Sequence, residues 1–169
     1  SVQAREREAP SGAEDAVRTI NILVVDDDPD ICDYMQLVLN RGGYHVETRT
    51  EPLEALEALR QDDYHVVILD LMMPQLNGME VLDEIRKIDT DIAIIIFTGY
   101  PSVDTAVSSL RYKVADYIRK PFDIDEFNAS LERILREKGL LTDPEETLLT
   151  TIGSNIRKAR KTRNLTLKQ

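Results

Sequence analysis

Five polar residues of this sequence have the side chains that phosphoryl transfer requires, and each lies just after a short apolar run. Neighbouring carboxylates repel one another unless a cation binds between them, and Mg²⁺ binds one or two carboxylates while keeping several waters. A lysine and a hydroxyl could then hold the oxygens of a phosphoryl group on an aspartate. These residues are Asp26, Asp27, Asp70, Thr98 and Lys120.

The elements that would position these residues are five apolar runs, each followed by a helical pattern. This alternation predicts a parallel sheet with helices on both faces, because runs that are apolar throughout suit strands buried on both sides. In such folds ligands bind at the carboxyl ends of the strands, so we expect the five polar residues to converge there. The runs are residues 20–25, 44–49, 65–69, 92–97 and 115–118.

Apolar residues recur at helical spacing after each run. Asp28 and Pro29 predict the cap and the first turn of the first helix, and Gly139 predicts the end of the last one. The apolar sets are Leu53, Leu56 and Leu59 in the second helix, all expected to face inward, then Met79, Leu82 and Ile85, then Val103, Val107 and Leu110, and finally Ile124, Phe127, Leu131, Ile134 and Leu135.

Each polar residue also has an ordinary structural interpretation. Asp26 and Asp27 could be capping acids, and Asp70 could form a turn. Thr98 could end a strand, and Lys120 could be solvated, as most lysines are. Their shared position at strand ends, in order within one fold, favours the chemical interpretation.

Four segments carry a resemblance to a known family. ILVVDDDPDI, VVILDLMMPQLNGMEVL, IIIFTGYPSVDTAV and ADYIRKPF together resemble the receiver domain of two-component response regulators, over about residues 20–138. The resemblance implies an α/β fold, a flavodoxin-like (βα)5 doubly wound parallel sheet with strand order 2-1-3-4-5. A C-terminal helical extension is expected to follow it.

The resemblance also implies roles at the metal and the phosphorylation site. Asp70 would be the phosphoacceptor, and Asp26 and Asp27 the acidic pair that serves Mg²⁺. Asp70 and the backbone carbonyl of Met72 would complete the protein's metal ligands.

Further roles concern the switch. Thr98 would be the switch hydroxyl, Lys120 the phosphoryl-binding lysine and Tyr117 the aromatic that changes exposure on activation. The bond from Lys120 to Pro121 matches the family's cis peptide. Residues 103–112 and 116–127, from the fourth helix, fifth strand and fifth helix, would form the dimerisation face.

Two pairs of residues are notable against the family pattern. Lys113 and Val114 stand where the family commonly has Gly-Ala, and a lysine in a left-handed helix cap costs of order 1 kcal/mol. Met72 and Tyr100 flank the phosphorylation site, and neither is a good base or orients water. We therefore expect slow self-dephosphorylation.

Other chemistries fit less well. A phosphatase of the haloacid dehalogenase type needs Asp-x-Asp, whereas Asp70 is followed by Leu71 and Met72. No GxGxxG follows the first strand, which argues against a dinucleotide site. His45 and His65 are predicted at strand starts, away from the acidic cluster, and are interpreted as ordinary strand histidines.

The C-terminal segment differs in charge from the rest. The chain carries a net −10 and residues 152–169 carry +6, so residues 1–151 carry −16. IGSNIRKARKTRNLTLKQ resembles the first helix and the start of the second in phage-repressor-like helix-turn-helix domains. A basic oligomerisation helix is the alternative. Under either interpretation the predicted helix has an apolar stripe that must pack on a partner helix, another copy of the chain or the receiver. The stripe consists of Leu148, Leu149, Ile152, Ile156 and Ala159.

We therefore expect a bacterial response regulator that accepts phosphate from a histidine kinase on Asp70 and switches a DNA-binding output to regulate transcription. It would be a signalling switch, not an enzyme. The alternative is a phosphorylation-switched interaction and dimerisation module without DNA binding, and salt-dependent DNA binding by the full-length parent would separate the two. The predicted divisions are a leader at 1–18, the receiver at 19–138, a linker and helix start at 139–151, and a truncated helix-turn-helix start at 152–169.

Partners and location follow from the same reasoning. We expect a homodimer, through the face defined above or through the C-terminal helix, and DNA contact only through the full-length parent. The longest apolar run, residues 92–97, is too short to span a bilayer, and the single Cys32 excludes a disulfide framework. A cytoplasmic protein without a membrane partner is the expectation.

Overall fold

Five parallel strands form one sheet in the order β2-β1-β3-β4-β5, as the resemblance implied. The computed structural model describes residues 19–74 and 77–141. The central strands β1, β3 and β4 are almost wholly buried, which is why their sequences are apolar on both faces. The strands are β1 Asn21–Val25, β2 His45–Arg49, β3 Val66–Leu69, β4 Ala93–Thr98 and β5 Asp116–Arg119.

Helices cover both faces of the sheet and make two cores. One core packs α2 and α3 against the sheet, and the other packs α1 and α5 against the opposite face. Each helix follows one strand and returns to the start of the next, so its first turn lies at the carboxyl edge of the sheet. The helices are α1 Pro29–Arg41, α2 Pro52–Gln61, α3 Gly78–Ile88, α4 Val103–Arg111 and α5 Ile124–Glu137.

Local signals set the helix ends near the carboxyl edge. The Asp28 side chain accepts a hydrogen bond from the backbone nitrogen of Asp30 at 2.9 Å, which confirms the predicted cap of α1. At the start of α3, a Cβ on Gly78 would lie 2.7 Å from the carbonyl oxygen of Leu71. Glycine is therefore required there, because it lets the loop after β3 pack closely against α3.

In two helices, apolar residues of the predicted sets are exposed to solvent. Leu56 and Leu59 of α2 are buried as predicted, but the expectation for Leu53 was wrong, since this side chain is 63% exposed. It lies on the side of α2 that is turned away from the sheet, since Pro52 and Ala55 in the same turn are buried, and it lines the groove between α2 and α3. In α4 the apolar residues define the predicted helix, yet Ser109 is its one buried residue.

A residue just after the end of α4 has the left-handed backbone conformation that is unfavourable for a lysine. Lys113 has φ 53°, in the left-handed region that favours glycine. The guanidinium of Arg86 on α3 donates to the carbonyl oxygens of Tyr112 at 2.8 Å and Lys113 at 3.1 Å. These bonds supply partners for carbonyls that the helix end leaves free.

The remaining predictions fall partly outside the described residues. The leader at 1–18 and the helix-turn-helix start at 152–169 lie there, as does the linker from residue 142 onward. Within the described part of the chain, every helix is too short or too polar to cross a membrane.

Candidate functional site

Strand register brings two carboxylates side by side at the carboxyl edge. Val25 of β1 pairs with Leu69 of β3, so Asp26 and Asp70, the next residue on each strand, lie at the same level. The backbone nitrogen of Asp70 donates to the carbonyl of Val25 at 2.9 Å, and that of Asp26 donates to Arg49 at 3.2 Å. The Asp26 side chain is fully buried and that of Asp70 nearly so.

Lys120, which directly follows the carboxyl end of β5, contacts both carboxylates. Its Nζ lies 2.6 Å from Oδ2 of Asp26 and 3.1 Å from Oδ2 of Asp70. The predicted cis bond to Pro121 is present, and the backbone nitrogen of Lys120 donates to the carbonyl of Thr98 at 2.8 Å. One ammonium group is therefore held between two buried like charges.

Burial and charge act in opposite directions at this cluster. Burial raises the pKa of Asp26, and the bonds from Lys120 and from the backbone nitrogen of Asp28 only partly offset it. For Lys120, burial works against the charged form, but the bonds and the charges of Asp26 and Asp70 raise its pKa above the ordinary value. The site therefore favours one more positive charge beside the carboxylates.

The oxygen ligands suit a hard cation. One carboxylate oxygen each from Asp26, Asp27 and Asp70 lies within 4.8 Å of the other two, and Asp27 is exposed. An all-oxygen set, with one member open to solvent, fits Mg²⁺, which retains waters when it binds to proteins. The residues present therefore fit the group that the resemblance implied.

Met72 contacts the Asp70 carboxylate through its backbone. Its nitrogen donates to Oδ1 of Asp70 at 2.9 Å, while Oδ2 of that carboxylate faces Lys120. Both oxygens of Asp70 are thereby oriented, and the Met72 side chain, 52% exposed, stays outside the cluster.

The two expected switch residues have separate partners. Thr98 is buried, and its Oγ1 accepts a hydrogen bond from the backbone nitrogen of Tyr100 at 3.1 Å. Tyr117 is half-buried, and its hydroxyl lies 2.9 Å from Oγ1 of Thr105 on α4. Accepting from Tyr100 leaves the Thr98 hydroxyl proton available for donation.

The sequence reasoning did not identify two residues that belong to this arrangement. The ring of Phe97 lies beneath Lys120, with Nζ 4.4 Å from the ring centroid, a cation–π contact. The sequence did not indicate this contact, because a phenylalanine in an apolar strand is equally expected when it only packs in the core. Thr105 forms a capping box with Ser102, a spacing visible in the sequence, but its contact with Tyr117 depends on how α4 faces β5.

The sequence matches the response regulator receiver domain over residues 22–132. The transcriptional regulatory protein ZraR of Klebsiella oxytoca is 38% identical over 125 residues, which cover 74% of this chain and 28% of that protein. An uncharacterized transcriptional regulatory protein of Bacillus subtilis, YkoG, is 37% identical over 130 residues, covering 77% of this chain and 57% of its own length. The matched segment thus spans less than two thirds of either relative.

Solved structures show the same architecture. A CheY-like receiver domain protein from Methanospirillum hungatei is 29% identical with a TM-score of 0.70, covering 72% of this chain and 97% of that one. TrrA of Thermotoga maritima, crystallised in complex with Mg²⁺ and BeF, is 36% identical with a TM-score of 0.63. It covers 69% of this chain and 100% of its own.

Proposed function

This chain belongs to the response regulator receiver domain family, and from that premise we propose that Asp70 accepts a phosphoryl group from a histidine kinase. The phosphorylated domain then switches a transcriptional output. The observation that carries this proposal is the ammonium of Lys120 between the buried carboxylates of Asp26 and Asp70. Such a cluster is costly to fold and is useful for binding a cation and a phosphoryl group.

The transfer step needs only the groups already named. A carboxylate oxygen of Asp70 attacks phosphorus, the bond from phosphorus to the donor histidine nitrogen breaks, and its electron pair stays on that nitrogen. Asp26, Asp27 and the Met72 carbonyl would hold Mg²⁺, which supplies positive charge against the phosphoryl oxygens. Lys120 then pairs with a phosphoryl oxygen in place of the Asp70 carboxylate.

The switch follows from the partners of Thr98 and Tyr117. The Thr98 hydroxyl donates to a phosphoryl oxygen once one is present, because its proton is free of the bond from Tyr100. Movement of Thr98 leaves space that Tyr117 can enter by leaving Thr105. The face formed by α4, β5 and α5 then changes shape, and it is the proposed dimerisation face.

The phosphodonor has an apolar surface beside the site on which to dock. A groove of about 400 Å³ is lined by Ile31 and Tyr34 of α1 and by Pro121 and Phe122 after β5, and Lys120 also lines it. A kinase helix with apolar side chains would fit such a groove while bringing its histidine to Asp70.

Transcription is proposed as the output because ZraR and YkoG are named transcriptional regulatory proteins. DNA binding would come through the helix-turn-helix domain whose start is predicted at residues 152–169. The alternative, an interaction module without DNA binding, is favoured by the apolar residues that α4 exposes. Salt-dependent DNA binding by the full-length protein would support the first and exclude the second.

Phosphorylation itself is tested with the whole chain, Mg²⁺ and acetyl phosphate, followed by mass spectrometry. We expect a phosphoryl adduct that needs Mg²⁺ and is absent from Asp70→Asn, while Asp83→Asn on the exposed face of α3 keeps it. Loss of the phosphoryl group should then be slow, because Met72 and Tyr100 do not orient water. Absence of an adduct from the folded protein, with a kinase also tried, would refute the proposal.

A further inference from the structure

Helix α4 presents its apolar side to solvent. The α4 stripe, defined here as Val103, Val107 and Leu110, is 79%, 60% and 79% exposed. The opposite side of the helix is polar, with Ser109 buried and Thr105 bonded to Tyr117. A surface helix normally directs its apolar side to the core, so the α4 stripe requires another element to cover it.

A later segment of the same chain has the matching pattern. Leu149, Ile152 and Ile156 are separated by three and then four residues. Leu110, Val107 and Val103, read toward the N-terminus, have the same separations. Two antiparallel helices with equal spacing place apolar residues opposite one another along about 10 Å, since each residue advances a helix by about 1.5 Å.

The charges at the two ends fit the same antiparallel direction. Past Leu110, the C-terminal end of α4 carries exposed Arg111 and Lys113. The segment has Asp143, Glu145 and Glu146 before its apolar residues and Arg157, Lys158 and Arg160 after them. Asp104 lies at the other end of α4, at the acidic carboxyl edge of the sheet, where the basic residues would arrive.

The end of α5, from which the segment continues, is linked to the C-terminal end of α4 by side-chain contacts. At the end of α5, Nζ of Lys138 donates to the carbonyl of Asp91. The next carbonyl, that of Ile92, accepts from Arg86 at 2.7 Å, and Arg86 also donates to the carbonyl of Tyr112. Two side chains thus connect the end of α5 to the end of α4.

The connection has a reach that its length sets. Leu149 lies eight positions after Leu141, the last described residue. These eight steps span about 12 Å as helix and about 27 Å when extended. This reach is what the chain has available to pass the edge of β5 and turn onto α4.

We propose that residues 142–163 form a helix that docks antiparallel on the α4 stripe of the same chain. The docked segment would cover the α4 part of the proposed dimerisation face, so docking and dimerisation through that part would exclude one another. The docking itself does not depend on phosphoryl chemistry, because it rests on α4 and the C-terminal segment alone.

Cysteine cross-linking in the whole chain tests the proposal. Val107→Cys with Ile152→Cys places two thiols opposite one another in the proposed register, and the native Cys32 is buried and can stay. The control is Leu53→Cys with Ile152→Cys, because Leu53 on α2 is as exposed as Val107. Under mild oxidation at low protein concentration, we expect an intrachain disulfide to form at least tenfold faster in the first pair.

Mass spectrometry and non-reducing electrophoresis separate the outcomes. An intrachain product that forms more slowly in about 1 M salt, where charges are screened within about 3 Å, supports docking with its charge pairing. Interchain disulfides would show that a second copy covers the α4 stripe. Equal rates in the two pairs would show that nothing docks there, and either of these results overturns the proposal.

Hydrogen exchange gives a second measurement without cysteines. Ile152→Asp should speed exchange of the α4 amides, because an aspartate cannot pack on the α4 stripe. Ser154→Asp, on the opposite side of the proposed helix, should leave α4 exchange unchanged. Equal α4 exchange in both variants and in the original chain would contradict the docking.

Discussion

The polar side chains at the two edges of the sheet differ in their burial and in their partners. At the amino edge, the Tyr64 hydroxyl donates to Glu47, and Nδ1 of His65 accepts from the backbone nitrogen of Asn21 at 2.9 Å. At the carboxyl edge, Asp26 and Asp70 are buried together on a single lysine. The first arrangement stabilises the fold, whereas the second holds like charges away from water at a cost to stability.

Two carboxylates show the difference directly. The pKa of Asp26 is raised above its ordinary value, mainly by burial. The pKa of Glu47 is lowered, mainly by the hydrogen bond from Tyr64, and about a third of this side chain is exposed. Partner and burial, not residue type, therefore distinguish a structural carboxylate from one that is poised to bind a cation.

The largest expected effect is at Lys120. Lys120→Met leaves two buried carboxylates without their cation and should lower the free energy of unfolding by about 3 kcal/mol in the absence of Mg²⁺. Mg²⁺ should restore more stability in this variant than in the original chain, because it replaces the missing positive charge. Chemical denaturation with and without the metal measures both effects.

A matched control for that experiment is on α3. Lys87 also lies between two carboxylates, 3.0 Å from Asp83 and 3.2 Å from Glu84, but it is exposed. Lys87→Met should leave stability nearly unchanged and show no special response to Mg²⁺. Equal losses in the free energy of unfolding in the two variants would mean that burial does not make the lysine at the carboxyl edge more important for stability than the exposed lysine of α3.

The same substitution should have opposite signs at the two edges. Asp26→Asn removes a buried charge and should raise the free energy of unfolding by about 1 kcal/mol without Mg²⁺. Glu47→Gln weakens the bond from Tyr64 and should lower it by about 0.5 kcal/mol. Denaturation of both variants at neutral pH gives the comparison, and equal signs would remove the distinction between the edges.

The pH dependence of stability should show the same contrast in the presence of a chelator. The folded protein keeps the Asp26 proton where the unfolded chain has released it, so stability falls as pH rises from 3.8 through the raised pKa. Glu47 acts in the other direction, and its contribution is lost as pH falls from 4.5 through the lowered pKa. Asp26→Asn should remove the first slope and keep the second. Denaturation across this pH range measures both, and persistence of the first slope in the variant would assign it to another group.

The sequence predicted most of the fold and the placement of the site. The strand order came from the resemblance, and the structure confirms it. The convergence of Asp26, Asp70 and Lys120 followed from apolar runs that end in polar residues, and the cap of α1 followed from Asp28 before Pro29. Local patterns of this kind are sufficient because parallel strands bring their ends to one edge. Roles such as that of Met72 came from the resemblance and stay proposals.

Contacts between elements could not be predicted in the same way. The spacing of Val103, Val107 and Leu110 indicates a helix, but only the packed structure shows that this side faces solvent. The exposure of Leu53 and the contact of Thr105 with Tyr117 likewise depend on how a helix is rotated on the sheet. Periodicity identifies the apolar side of a helix but does not show whether that side packs on the core or faces solvent.

The smallest expected effect is at the amino edge, where stability can change without changing the chemistry. Lys113 holds a left-handed φ of 53° that costs a lysine more than a glycine. Lys113→Gly should therefore raise the free energy of unfolding by about 0.5 kcal/mol, after the greater freedom of glycine in the unfolded chain is subtracted. Lys113→Ala is the control, since alanine is strained in the same way, and phosphorylation of Asp70 should proceed at the original rate in both variants. A gain in both variants would trace the effect to the lysine charge instead of the backbone, and a changed rate would show that the two edges are coupled.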